Sequence, residues 1–222
     1  GGWGGPGTIA NNGFMTIDGG FNVGGTLNNA GTVTHATGTI GLSSATINNQ
    51  ATGIWDLTGD GGFSNFAGTN AINNAGTFRK SGGTGTSTVS TLSNTNTVSV
   101  TSGTLSFSAV SQISSNTLNA GVWNVGAGAT LGLPGTINTI AAGVSVTLTG
   151  VGASLPNLAS NLNTNNGSFT VTGGASFTRA ASVVNAGTLT VGTGGGVVTT
   201  NGVSMSGAGA AVTIASGGTL AI

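Results

Sequence analysis

Charge is what this chain has least of. Three Lys+Arg and three Asp+Glu make 3% of its 222 residues charged, against roughly 25% in an ordinary globular domain. Three cations cannot form the basic face that displaces counterions from phosphates, so no nucleic-acid partner is expected. Cysteine is absent, which excludes a disulfide framework, a thiolate nucleophile and a thiolate metal site. There are 3 Pro and no Gly-X-Y rhythm, so this is not collagen. No apolar run approaches the length of a membrane-spanning helix, and 5% aromatics without Tyr are too few for the girdles of an outer-membrane barrel. No membrane-spanning segment is therefore expected.

What is present is Gly, at 44 residues, together with abundant Thr, Ser and Asn and 37% hydrophobic residues at a mean hydropathy of +0.30. That balance is not the low-hydrophobicity, high-charge signature of disorder. A net charge near zero leaves little repulsion between copies, so self-association is expected. The chain opens Gly1-Gly2-Trp3 without Met, which reads as a processed or excised product.

The strongest signal is internal repetition. LNNAGTV at 27–33 returns as INNAGTF at 72–78, LSNTNTV at 92–98 and VNAGTL at 184–189, and looser copies fill the intervals. Their opening apolar residues recur about every 22 residues. Between them, segments such as VSVTL at 144–148 and SFTVT at 168–172 alternate apolar with Thr or Ser, the two-residue period of half-buried strands. Gly and Asn supply corners that need positive φ. The expected fold is all-β: a single domain over 1–222, an elongated parallel β-helix (β-solenoid) of about ten coils, right-handed because the period is variable.

Stacked coils set like positions about 4.8 Å apart. One core ladder is then Leu27, Ile47, Ile72, Leu92, Leu118, Ile140, Leu162 and Val184. A second runs through Val33, Ile54, Phe78, Val98, Val146 and Phe169. Asn28, Asn48, Asn73, Asn119, Asn163 and Asn185 follow the first ladder and are expected to stack as a structural amide row.

Catalytic chemistry is sparse. Asp56 and Asp60 are the only carboxylates close enough in sequence to pair. In WDLTGDGGF they read first as loop-stabilising residues and second as a weak Ca²⁺ site. No catalytic residue and no cofactor are expected. The single His35 reads as a surface residue, and Arg79-Lys80 as edge charges that discourage stray strand pairing. Gly82–Thr86 and Gly192–Gly196 lack the Lys and the strand-to-helix setting of a phosphate loop, and read as chance in a Gly-rich chain. Outward Thr and Ser at 32, 34, 97, 99, 145, 147, 170, 172, 188 and 190 form the flat array that an ice-binding solenoid would present. Trp3, Trp55 and Trp123 read as end or corner fillers.

The pieces NNAGTF, RKSGGTGTSTV and NTVSVTSGTLSFS within 72–108 resemble the strand repeats of large secreted bacterial surface proteins, the autotransporter passengers and filamentous-haemagglutinin-like adhesins. The resemblance spans most of the chain in repeat style and transfers no catalytic motif. It implies a cell-surface or extracellular stalk or fibre segment, non-enzymatic, whose partners are copies of itself and surface glycans. The alternatives are an ice-binding solenoid and a carbohydrate-binding or carbohydrate-processing β-helix.

Overall fold

The computed structural model describes residues 2–3 and 5–222, the first two by backbone alone. It is almost entirely β and winds as a parallel β-solenoid of about ten turns of about 22 residues, as the repeats predict. The chain divides into two compact units, Gly1–Ser111 and Gln112–Ile222.

In the first unit, Phe14–Asp18, Thr32–Thr37, Ile54–Leu57, Thr77–Lys80 and Thr97–Val100 pair in that order as one parallel sheet. Alternation puts Val33, Trp55, Phe78 and Val98 in register and inside. Trp55 therefore takes the place expected for Ile54, which pairs with Thr32 and Thr77 and is only half-buried. A second parallel sheet carries the long strands Phe21–Asn29 and Thr39–Asn49. The second of these bends round a corner, pairing with Gly62–Ala67 by its first half and with Ala71–Asn74 by its second. On that second face Ile9, Leu27, Ile47 and Ile72 stack in register, and Leu92 is buried in the same phase.

In the second unit, Val122–Val125, Ser145–Thr149, Ser168–Thr172, Thr188–Gly192 and Ala211–Ile214 form the corresponding parallel sheet. A further face stacks Thr117–Leu118, Thr139–Ile140, Thr164–Asn165, Val183–Asn185 and Val203–Met205. Leu118 and Ile140 pair as expected, but the ladder changes there. Ile140 meets Asn165, while Leu162 is buried as the C-cap of the short helix Pro156–Asn161. Val184 pairs with Thr164 and is 38% exposed, with Val183 inside instead. The helix begins with Pro in its first turn, where the missing N–H costs nothing, and buries Leu158.

The amide row exists, one residue later than the repeats suggest. Asn11, Asn29, Asn49, Asn74 and Asn94 are buried, and each of the first four donates Nδ2–H to the next Oδ1 at 2.7 Å. Each also donates to a backbone carbonyl of the coil ahead, at Thr32, Ile54, Thr77 and Thr97. Asn165 and Asn185 repeat the arrangement in the second unit, with Thr188 and Ala211 as the carbonyls. Of the expected row, only Asn185 is a member. Asn28, Asn48 and Asn73 form a separate outer stack whose donors run the other way, Asn73 to Asn48 to Asn28. Asn119 bonds locally to Gln112, Ser114 and Thr117, and Asn163 accepts from Arg179.

Strand alternation is the reason. Two residues after an inward Leu or Ile the chain points inward again, so the second Asn of L-N-N enters the core at the corner. The first faces out. The Gly of N-A-G then packs against the preceding coil so closely that a methyl on Gly31 would strike the Gly13 carbonyl, and one on Gly187 that of Gly167.

The two rows differ in consequence. Asn74→Ala removes three hydrogen bonds of the buried row, its donations to Asn94 Oδ1 and Thr97 O and its acceptance from Asn49 Nδ2, at about 0.5–1.5 kcal/mol each. Asn73→Ala, in the exposed outer stack, should cost under about 0.5 kcal/mol. Urea unfolding of both variants measures the difference, and equal losses would contradict the inner row's role.

Candidate functional site

Four of the six charged residues, Asp56, Asp60, Arg79 and Lys80, lie in two adjacent coils of the first unit. Asp56 and Arg79 stand directly opposite each other in neighbouring strands. Arg79 donates from Nε at 2.8 Å and Nη2 at 2.6 Å to Asp56 Oδ2, and Ser81 Oγ donates to Oδ1 at 2.6 Å. Asp56 is buried and the Arg79 side chain is 43% exposed. Asp56 thus belongs to the strand Ile54–Leu57, not to a loop.

Lys80 goes inward. It shares register with Leu57 and Val100, and its side chain is 0% exposed. All three ammonium hydrogens find oxygen: Gly59 O at 2.6 Å, Asp60 Oδ1 at 2.8 Å and Gly82 O at 2.9 Å. A buried ammonium survives only with such complete pairing. Asp60 remains 46% exposed and also accepts the Gly85 N–H at 3.0 Å. The hydrogen bond from Lys80 holds its carboxyl below the usual carboxylate range, against a smaller opposing effect of desolvation and with help from the Lys80 charge and Gly85.

The edge-charge reading of Arg79-Lys80 is therefore corrected. Their strand has a neighbour on each side, and alternation with Phe78 carries Lys80 inside. The glycines of Gly82–Thr86 are not chance either. Gly83, at φ +71°, packs against the Asp60 carboxylate so tightly that a Cβ has no room. The two carboxylates considered as cation ligands each hold an organic cation, in separate pairs. Among the described residues no three His, Cys, Asp or Glu come together.

His35 is buried, which corrects the surface reading. Thr32-Val33-Thr34-His35 has the strand period, and His35 falls in the inward phase with Val33. Its ring meets Phe63 edge-on at 5.6 Å and 85°. Nε2 lies 3.1 Å from Gly38 O, so it carries the hydrogen and donates, while Nδ1 has no partner. Burial pushes its pKa below the ordinary value, outweighing the backbone hydrogen bonds that raise it. Trp55 and Trp123 are also core residues, each facing inward from its strand, and Trp123 Nε1 donates to Ala120 O at 2.9 Å. The side chain of Trp3 lies outside the described residues. Asp18 accepts from Thr37 Oγ1, and Arg179 donates to Leu162 O and Asn163 Oδ1.

The outward hydroxyls fall into columns. In the second unit Thr147, Thr170, Thr190 and Thr213 stack in register, beside Ser145, Ser168 and Thr188. In the first unit the same face is broken, because Asp56 and Arg79 stand between Thr34 and Ser99.

His35 is the one side chain in this composition whose ordinary pKa lies near neutrality. The unfolded chain takes up its proton around pH 6.5, and the folded chain resists until lower pH. The unfolded state therefore binds more protons as pH falls, so stability is full above 6.5 and declines below it. Thermal melts from about pH 8 to pH 5 should show this decline, and His35→Leu should flatten it. A second loss follows at lower pH, when Asp60 is protonated and leaves Lys80 unpaired. Asp60→Asn should remove that limb and lower the melting temperature at neutral pH.

Set against protein-family models, curated proteins and solved structures, the chain matches none.

Proposed function

We propose that the chain is a structural segment of an extracellular bacterial fibre or adhesin, a stalk without enzymatic activity that associates with copies of itself by β-pairing or end-to-end stacking of coils. One observation carries this reading: the side chains that would bind or catalyse elsewhere are consumed in joining coil to coil. Asn11, Asn29, Asn49 and Asn74 each donate twice to the next coil, and the two ion pairs link successive coils. A nearly neutral surface favours association of copies. Sedimentation of the purified chain over a wide concentration range, with negative-stain electron microscopy, should reveal oligomers or filaments. A monodisperse monomer at every concentration would overturn the proposal.

A second reading is favoured by the uninterrupted column Thr147, Thr170, Thr190 and Thr213 with its Ser/Thr neighbour. A flat, uncharged lattice of hydroxyls and methyls in two fixed spacings suits the surface of ice. Thermal hysteresis of the purified chain measures this, and Thr170→Arg, a bulky charge in mid-column, should abolish it. No hysteresis in the unaltered chain removes the reading.

A further inference from the structure

We infer that the corner of the first unit around Phe66 is a binding site for a neutral carbohydrate chain, with the Phe66 ring as a platform for a pyranose. Phe66 is 73% exposed in a chain with few aromatics, most of which are interior. Its exposure is built into the backbone. The pairing of Gly62–Ala67 with Thr39–Asn49 runs from Leu42 opposite Asn65 to Ser43 opposite Ala67. Phe66 is thus the additional residue of a bulge, the device by which strands re-aim a side chain near sites.

The ring is also seated. It lies on Gly41, where a methyl would come within 2.8 Å of Phe66 Cδ2 and would also strike Asn22 Oδ1. Glycine here is required by the close approach of the ring, and it leaves the Asn22 amide beside the platform. The preceding coil slips in register at the same corner, between Val23 and Gly25, so the irregularities stack. They open a groove of about 540 Å³ whose lining includes Gly24, Gly25, Ser43 and Ser44. Ser44 holds the left-handed conformation at φ 52°, a strain that non-glycine residues carry mainly at functional places. Its Oγ packs on Gly68, two residues past Phe66, and its neighbour Ser43, opposite Ala67, stands next to the bulge.

The ligand class follows from the chemistry. Lined by Gly5, Pro6, Gly24, Gly25, Ser43 and Ser44, the groove offers hydroxyls, glycine backbone and a proline ring and, among the described residues, holds no charged side chain; its volume is in the range of ligand sites. A pyranose presents one C–H face, which stacks on an aromatic ring, and an edge of hydroxyls, which bond to amides and to Ser. Uronate or sulfated sugars would find no cation there.

This site is independent of the fibre reading, because it can be assayed on the monomer. Saturation-transfer NMR and calorimetry on the full chain, with cellohexaose and chitohexaose as probes and a hexagalacturonate for comparison, test it. Binding of a neutral hexasaccharide is expected, with Phe66→Ala weakening it by about tenfold or more, Phe66→Trp retaining it, and Gly41→Val weakening it by displacing the ring. The inference is overturned if neither neutral probe binds, if the charged one binds as well, or if Phe66→Ala binds like the unaltered chain. It also falls if Phe66→Ala disperses oligomers while leaving sugar binding intact, since the ring would then be a contact between copies.

Discussion

Within each unit, every strand residue sits on its counterpart in the next coil at about 4.8 Å, and the rest of the structure answers to that repetition. A side chain that tolerates its own image can be repeated indefinitely: an aliphatic residue packs on itself, a hydroxyl bonds to a hydroxyl, and an amide donates to one copy while accepting from another. A charge cannot, because a repeated charge faces its like across adjacent strands. The scarcity of Lys, Arg, Asp and Glu is the compositional mark of this constraint, and four of the six charges obey it as opposite partners on successive coils, Asp56 with Arg79 and Asp60 with Lys80.

The repeat motif itself becomes intelligible in the same terms. In L-N-N-A-G-T the Leu fills the interior, the first Asn joins an outer stack, the second closes the corner from within, and the Gly permits coil to touch coil. Where the pattern lapses, the cost is visible. Ile140 occupies the position below Asn165, and the Asn165 Oδ1 is left buried with no donor. Met205 follows Asn185, so the row has no amide to continue into. Asn165 and Asn185 therefore form a row of two, while the first unit sustains five.

Departures from regular stacking are also where chemistry gathers. Buried His35 and Lys80 replace aliphatic residues in one inward column that also holds Leu57 and Val100. Each is compatible with the core because a glycine-rich turn brings carbonyls inward, at Gly38 for His35 and at Gly59 and Gly82 for Lys80. The bulges at Val23/Gly25 and Leu42/Ser43 interrupt the pleat and lift Phe66 outward. A regular solenoid has an almost featureless surface, so irregularity in the strand register is the means by which this chain makes a recess.

The amino-acid sequence alone determined the class of structure: the period, the alternation of apolar with Thr or Ser, the Gly and Asn corners and the lack of charge all require stacked parallel coils, because each is a local property repeated along the chain. It also located the aliphatic stack of Leu27, Ile47, Ile72 and Leu92 in the first unit and the pair Leu118 and Ile140 in the second. Tertiary structure decided phase and depth. Which of two adjacent Asn residues enters the core depends on where the strand ends and the corner begins, a matter of one residue that inverts the face. Val184 fell out of the ladder for the same reason, turned outward by a one-residue shift, and Leu162 left it as the C-cap of a helix. The pairing of Lys80 with Asp60, the seat of Asp60 on Gly83 and the exposure of Phe66 depend on partners some twenty residues away in adjacent coils, and no local pattern specifies whether those partners bring a carbonyl, a carboxylate or an empty place.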